Sequence, residues 1–361
     1  GAHRDAHRDA HRDAHRDTHR DAHRDTHRDT RPGTQELIPR SYNNPQETTM
    51  LRLKLAAVTL LCGVASAAFA QECSDKNWKA CKGKPWIIGN SMDTPLGDKW
   101  WPSKLWGAGD EAGSTNWCTK PEVVARALAE AKTGKVYRLG RPYTSTMPTF
   151  GDRKFVLRIP GGPTGGPFGA NVLVYNDEFL ATEIGQVGTQ FDGLAHIGIA
   201  VGAPGDKSEM RFYNGFTQFE MDGSTGLKKL GIEKLHPISA RGIMLDIEAL
   251  RGADAMQAGY EITMVDVNAA LAKQGMADFK FMPGDGVFFR TGWGKHWIKD
   301  NAKYNGGEPG IGMEVAKWLS DVVQAGVWGA DTWATEVIPN KEAGCAFCIH
   351  SHMLTRHGIV N

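Results

Sequence analysis

Gly185-Gln186-Val187-Gly188-Thr189-Gln190-Phe191-Asp192-Gly193-Leu194-Ala195-His196-Ile197-Gly198 is the most informative stretch of this 361-residue sequence. Glycines at 185, 188 and 193 let the backbone turn sharply and approach a ligand closely. Between them stand two amides, a carboxylate and an imidazole. A carboxylate is a good hard ligand for a divalent cation, and an imidazole can ligate or carry a proton. Gln, Asp and His in a Gly-rich turn can equally cap backbone groups, and both readings stay open at this level.

Working outward, strand-like runs precede the stretch at Val136–Leu139, Lys154–Ile159 and Val172–Tyr175, and the Gly/Pro stretch Pro160–Gly169 reads as a loop. After it come a strand at Gly242–Asp246 and a capped helix beginning near Thr263. A short apolar strand at Val287–Arg290, a helix over Met313–Gln324 and a strand at Val327–Ala330 follow. Strands and helices mix without strict βαβ alternation, which predicts a single α/β domain with a mixed sheet and flanking helices. No GxGxxG or Walker pattern opens a helix after a strand, which argues against nucleotide-dependent chemistry. Farther upstream, Thr119-Lys120-Pro121-Glu122 has the form of a capping box with Pro in the first turn. It predicts a helix with Val123, Val124, Ala127, Leu128 and Ala131 on one side, ended by Gly134. Residues 71–118 hold six of the 11 Trp and read as an irregular arm wrapped on a domain spanning residues 119–361. Those aromatics suit packing, and could also line a pocket.

The first seventy residues differ in kind. His-Arg-Asp-(Ala/Thr) repeats seven times from His3 to Thr30. A four-residue polar period offers no apolar face to offset the entropy of ordering. Residues 1–49 are therefore read as a disordered upstream segment. Arg52 and Lys54, the apolar run Leu55–Ala68 and Ala68-Phe69-Ala70 have the form of a signal peptide over residues 50–70. The run is shorter than the ~20 residues of a membrane-spanning helix. The reading is a mature protein beginning near Gln71, periplasmic or secreted, with no membrane span.

Beyond residue 70 there remain 31 Lys+Arg against 32 Asp+Glu, a balance that excludes a nucleic-acid partner of the usual basic kind. Five cysteines remain as well. Cys73 with Cys81 is the favoured disulfide, since both lie in a loop-like segment of an exported chain. Cys345-Ala346-Phe347-Cys348-Ile349-His350 lacks the His directly after the second Cys that c-type haem needs. Cys345 and Cys348 could pair with each other, or join His350 and His352 in a soft zinc cluster. Asp331 and Glu336 flank the end of a predicted strand, as functional loop residues or as caps. His236, His296 and His357 are isolated and read as surface or structural residues.

From Gln186 to His196 the sequence follows the frame His-x-Gly-Thr-His-x-Asp-x-Pro-x-His and so resembles the cyclase-type metal-dependent hydrolases, which include bacterial kynurenine formamidase and isatin hydrolase. Supporting matches include Trp106-Gly107 with Asp110-Glu111 and Asn116, Gly134-Lys135-Val136-Tyr137, Arg241-Gly242 with Leu245-Asp246, and Gly284-Asp285. Thr291-Gly292-Trp293 and Gly329-Ala330-Asp331-Thr332 with Glu336 and Pro339 extend them. The resemblance implies a swivelling β/β/α fold. It places metal ligands at Gln186, Gln190, Asp192 and His350, ahead of His352, and a catalytic proton carrier at His196. It also implies a bound Mn²⁺ or Zn²⁺, hydrolysis of an amide or lactam bond in a small, aromatic substrate, and a homo-oligomer. Two departures stand out. Both motif histidines are Gln here, which gives an oxygen-rich donor set suited to harder cations than Zn²⁺. The family also places a further Glu ligand just beyond Asn361, so the sequence reads as truncated there. The rival expectation is a metal-free periplasmic small-molecule binding protein on the same scaffold. A hydrolase working without metal is a third.

Overall fold

Side-chain alternation along three parallel strands builds the centre of the molecule. The computed structural model describes residues 100–201, 205–342 and 344–361. The opening repeat, the signal segment, the Cys73–Cys81 pairing and residues 71–99 of the Trp-rich arm lie outside these residues.

The first strands are β1 (Phe155–Arg158), β2 (Gly165–Phe168), β3 (Leu173–Tyr175) and β4 (Phe179–Thr182), followed by the short β5 (Ile199–Ala200) and β6 (Met210–Arg211). The remainder are β7 (Gly242–Asp246), β8 (Glu261–Ile262), β9 (Gly286–Arg290), β10 (Gly310–Ile311) and β11 (Val327–Ala330). The central sheet has the order β11-β9-β7 and is parallel throughout. Parallel and antiparallel pairing are thus divided among separate small sheets: β8–β10 is parallel, while β1–β4, β2–β3 and β5–β6 are antiparallel.

Register puts Ile243 beside Val287, Leu245 beside Phe289, and Trp328 on the other side of Val287. All five are buried. Helices Met264–Lys273 and Met313–Lys317 cover this face with Val267, Ala270, Leu271, Val315 and Ala316, joined by Ile349 and Met353. The opposite face meets a second cluster of Leu194, Tyr213, Leu354 and Val360. Coverage on both sides holds for β9 and β11, as expected of parallel strands with near-continuous apolar runs, whereas Met244 on the outer face of the edge strand β7 is 44% exposed. The helix predicted near Thr263 starts there, and Asp266 reaches back to accept the Thr263 N–H at 2.9 Å. The predicted Met313–Gln324 helix runs as one α-turn segment, Met313–Lys317, and widens into π-type turns over Trp318–Val323.

Three local expectations change. The Thr119 capping box does not form: the Thr119 hydroxyl donates to the Asn116 carbonyl at 2.9 Å, within a preceding 3-10 turn. Lys120 is the N-cap instead, and the helix covers Pro121–Leu128 rather than running to Gly134. Val136–Leu139 is not a strand. Its side chains stand in solvent, Val136 at 94% exposure, and β-branched residues make a strand only where there is a partner to pack on. The Pro160–Gly169 loop contains β2, which pairs with β3 across Gly165–Tyr175 and Phe168–Leu173. Pro167 is tolerated there because β2 pairs on one side only.

Candidate active site

The Gly185–Gly198 stretch is an irregular connection between β4 and β5. Its shape depends on glycine at position 188. Gly188 adopts φ +68°, and a Cβ there would stand 2.3 Å from the Tyr143 ring. With that turn in place, Asp192 is carried fully into the interior. Its backbone N–H donates to the Asn361 carbonyl at 2.7 Å, and the Asn361 side-chain amide donates to Asp192 Oδ2 at 3.1 Å. Asn361 is held in place because Val360 bridges to Val327 of the central sheet.

Asp192 is the hub. Gln186 Nε2 donates to its Oδ1 at 2.7 Å. His196 Nε2 stands 3.8 Å from the same oxygen, and His350 Nε2 is 3.4 Å from Oδ2. Gln190 points elsewhere and donates to the Trp333 carbonyl at 2.7 Å. All five residues picked out by the sequence nevertheless line one cavity of about 150 Å³.

His350 lies in the first turn of the helical run Cys348–Arg356, and Glu336 fixes it. The Glu336 carboxylate accepts the His350 backbone N–H at 3.1 Å and makes a very short contact with His350 Nδ1. A carboxylate on one ring nitrogen orients the other, as in the outer shell of metal-binding histidines. Glu336, read from sequence as a loop residue or a cap, is both helix cap and imidazole orienter.

Burial opposes charge on His350, but hydrogen bonds to Asp192 and Glu336, and the charges of both, outweigh it and lift its pKa to about 9. Burial likewise disfavours the Asp192 anion, yet His350, His196 and Gln186 together hold it below the usual carboxylate range. His196 goes the other way. Burial pushes its pKa down, Asp192 opposes this, and the charges of His350 and Arg153 reinforce it. A neutral imidazole can take a proton, so at pH 7 His196 is ready to act as a base.

The donor set gathered at Asp192 is one carboxylate, one carboxylate-oriented imidazole and the Gln186 amide, while Gln190 lines the same cavity tied to the Trp333 carbonyl. Such a set fits an oxygen-seeking divalent cation better than Zn²⁺. A second group, Glu336 with Cys345 and Cys348, has its ligand atoms within 4.8 Å of one another. There Cys345 and Cys348 are joined as a disulfide, which leaves no thiolate to bind a metal. The four-residue zinc cluster read from sequence is therefore not assembled. His352 Nε2 faces the Ser320 hydroxyl at 3.0 Å, and its ring lies against His357. Asp331 serves the backbone, accepting from the Thr291 and Gly292 N–H groups at 2.7 and 2.8 Å.

Sequence reasoning missed the cavity's aromatic wall. Phe150 stacks on Trp333 with centroids 4.3 Å apart, and Phe347 meets both Trp333 and His350 edge-on. It missed Arg153 on the same lining. It also missed Glu308, which is fully buried and accepts the Trp333 and Ala334 N–H groups at 2.7 and 2.8 Å. Residues spread from 150 to 347 share no local spacing, so nothing in the sequence links them.

Residues 137–337 match the family described as "Putative cyclase". A solved structure described as a novel cyclase is 28% identical, covers 71% of this chain and 81% of its own, and superposes with a TM-score of 0.57. Isatin hydrolase A from Ralstonia solanacearum is 19% identical over 67% of this chain and 84% of its own, at a TM-score of 0.46. No curated protein matches.

Proposed function

This chain belongs to the cyclase family, and from that premise we propose that it is a hydrolase cleaving a carbonyl C–N bond, amide or lactam, in a small aromatic molecule. The observation that carries the reading is the juxtaposition of a neutral, part-buried His196 with the buried Asp192 anion on an aromatic-walled cavity.

In this reading the substrate ring lies along Phe150 and Trp333, with its carbonyl toward Asp192 and His350. His196 accepts a proton from water as the water oxygen bonds to the carbonyl carbon. It then returns that proton to the nitrogen as the C–N bond breaks, leaving an amine and a carboxylic acid, which gives up its own proton to solvent at neutral pH. Asp192 orients His196 and stabilises the imidazolium that forms between the two transfers. Asp192, His350 and Gln186 would hold a divalent cation, Mn²⁺ in preference to Zn²⁺, and Gln190 would join them only by leaving the Trp333 carbonyl. Bound there, the cation would polarise the carbonyl and acidify water. Export after cleavage near Ala70 belongs to the same proposal and rests on the Met50–Ala70 sequence. Among the described residues no helix is long and apolar enough to cross a membrane. A homo-oligomer is proposed on the family resemblance.

The test is amine release from formanilide and a panel of aryl lactams, with metal content read by mass spectrometry. Turnover that falls ~10²–10⁴-fold in His196→Gln is the expected result. A protein that binds aromatic ligands without turning any over, in the presence of added Mn²⁺ or Zn²⁺, would support the binding-protein rival and overturn this reading.

A further inference from the structure

A covalent link stands behind the cavity wall. Cys345 and Cys348 are joined as a disulfide, and Phe347, between them, lines the cavity. The Phe347 ring meets Trp333 edge-on at 6.1 Å and His350 at 5.5 Å. Its backbone stands in the left-handed region at φ +51°, which a bulky residue rarely adopts. Cys348 begins the helical run that carries His350, and the Phe347 carbonyl accepts the Ser351 N–H at 3.0 Å.

A left-handed bulky residue persists only where its surroundings over-determine it. A ring closed from Cys345 to Cys348 does this, because it restricts the dihedrals of the two residues it encloses, Ala346 and Phe347. The link is also within reach of a reagent. Cys345 and Cys348 are half-buried, with the exposed Gly344 and Ala346 beside them, whereas the free thiol of Cys118 is buried. Accessible disulfides are the ones that exchange most readily.

We propose that Cys345–Cys348 is a thiol–disulfide exchange site for a small dithiol, and that its oxidation state sets the place of Phe347 on the cavity wall. One thiolate of the dithiol bonds to a disulfide sulfur, and the S–S bond breaks to give a mixed disulfide and one protein thiol. The second thiolate then displaces the other cysteine, so the dithiol leaves as a cyclic disulfide. Two electrons and two protons have passed from it to Cys345 and Cys348. With the ring open, Phe347 leaves the left-handed region, its side chain turns off Trp333 and His350, and the cavity loses part of its hold on an aromatic ligand. This rests on the reading of the cavity as the ligand site.

The experiment compares the oxidised full chain with protein reduced by dithiothreitol and freed of it by anaerobic gel filtration. Iodoacetamide labelling, located by peptide mass spectrometry, should find Cys345 and Cys348 alkylated, with Cys118 untouched as the sign of an intact fold. Benzamide affinity, read by titration calorimetry, should fall about fivefold on reduction, the worth of one aromatic contact, and recover on reoxidation. Cys345→Ser/Cys348→Ser should show the weaker affinity with or without the dithiol, and so should Phe347→Ala, with a thermal melt confirming that each is folded. A disulfide that survives the dithiol, an affinity unchanged by reduction, a change that persists in Cys345→Ser/Cys348→Ser, or no benzamide binding by the oxidised chain at millimolar concentration would each overturn the assignment. Amide turnover by the oxidised chain is scored separately. Turnover with binding indifferent to reduction removes this inference and leaves the hydrolase reading standing, whereas binding that follows the disulfide without turnover does the reverse.

Discussion

The central sheet and the β1–β4 region are built from similarly apolar strands, yet they live in different surroundings. In β7, β9 and β11 the inward residues Leu245, Val287, Phe289 and Trp328 are at most 1% exposed. In the antiparallel pairs β1–β4 and β2–β3, Leu157, Phe168, Val174, Phe179 and Leu180 are 46–56% exposed. The cavity draws on both. Asp192 and His350 are anchored through Asn361, Glu336 and the core, while Phe150 and Arg153 come from the segment that leads into β1. Asp192 and His350 are thus held by close packing, whereas Phe150 and Arg153 stand on a lightly buried region. Local opening free energies should be lowest where apolar contacts are fewest.

Asp192→Ala should break the contrast most severely, since one change strips partners from Gln186, His196, His350 and Asn361. His350 keeps Glu336 as its counter-charge, but stranding the buried donors of Gln186, Asn361 and His350 at about 1–3 kcal/mol each should cost about 3–5 kcal/mol in all, with turnover lost as well, as denaturant unfolding and amine release would show. Next, Phe289→Ala should cost about 3–5 kcal/mol through the cavity it leaves, whereas Phe168→Ala should cost about 0.5 kcal/mol. Matched urea titrations measure both, and similar losses would mean that the β2–β3 pair is buried by something beyond the described residues.

A pH dependence sharpens the comparison inside the core. Burial raises the Glu308 pKa to about 8 despite the N–H groups of Trp333 and Ala334 that it accepts. An unfolded Glu ionises near its ordinary value of 4.5. Between 4.5 and 8 the folded chain therefore holds a proton that the unfolded chain has lost, so this group's contribution is full at low pH and declines as pH rises. Glu308→Gln should flatten the fall in melting temperature between pH 5 and pH 8. An unchanged slope would show that another group sets it.

How much of this was legible in the sequence follows the same divide. β7, β9, β11 and the helix from Thr263 were readable because each writes its burial into a local period, such as Ile243 and Leu245 two apart. Gln186, Asp192 and His196 were readable because one turn holds them all, and His350 because a family frame pointed to it. Val136–Leu139 misled because its β-branched and aromatic residues mimic a strand that has no partner. The Cys345–Cys348 choice between disulfide and metal was undecidable because spacing alone permits both. Glu336 was visible, but its bond to His350 was not, and Arg153, Trp333 and Phe347 meet only through the fold.

The contact between Asp192 and Asn361 spans 169 positions of sequence. Closing so long a loop carries a high entropic toll, which favours completing nearer pairings first. Asn361 meets the carboxylate with Val360 bridged to Val327, so the surroundings of Asp192 are complete only where the two ends of that loop have met.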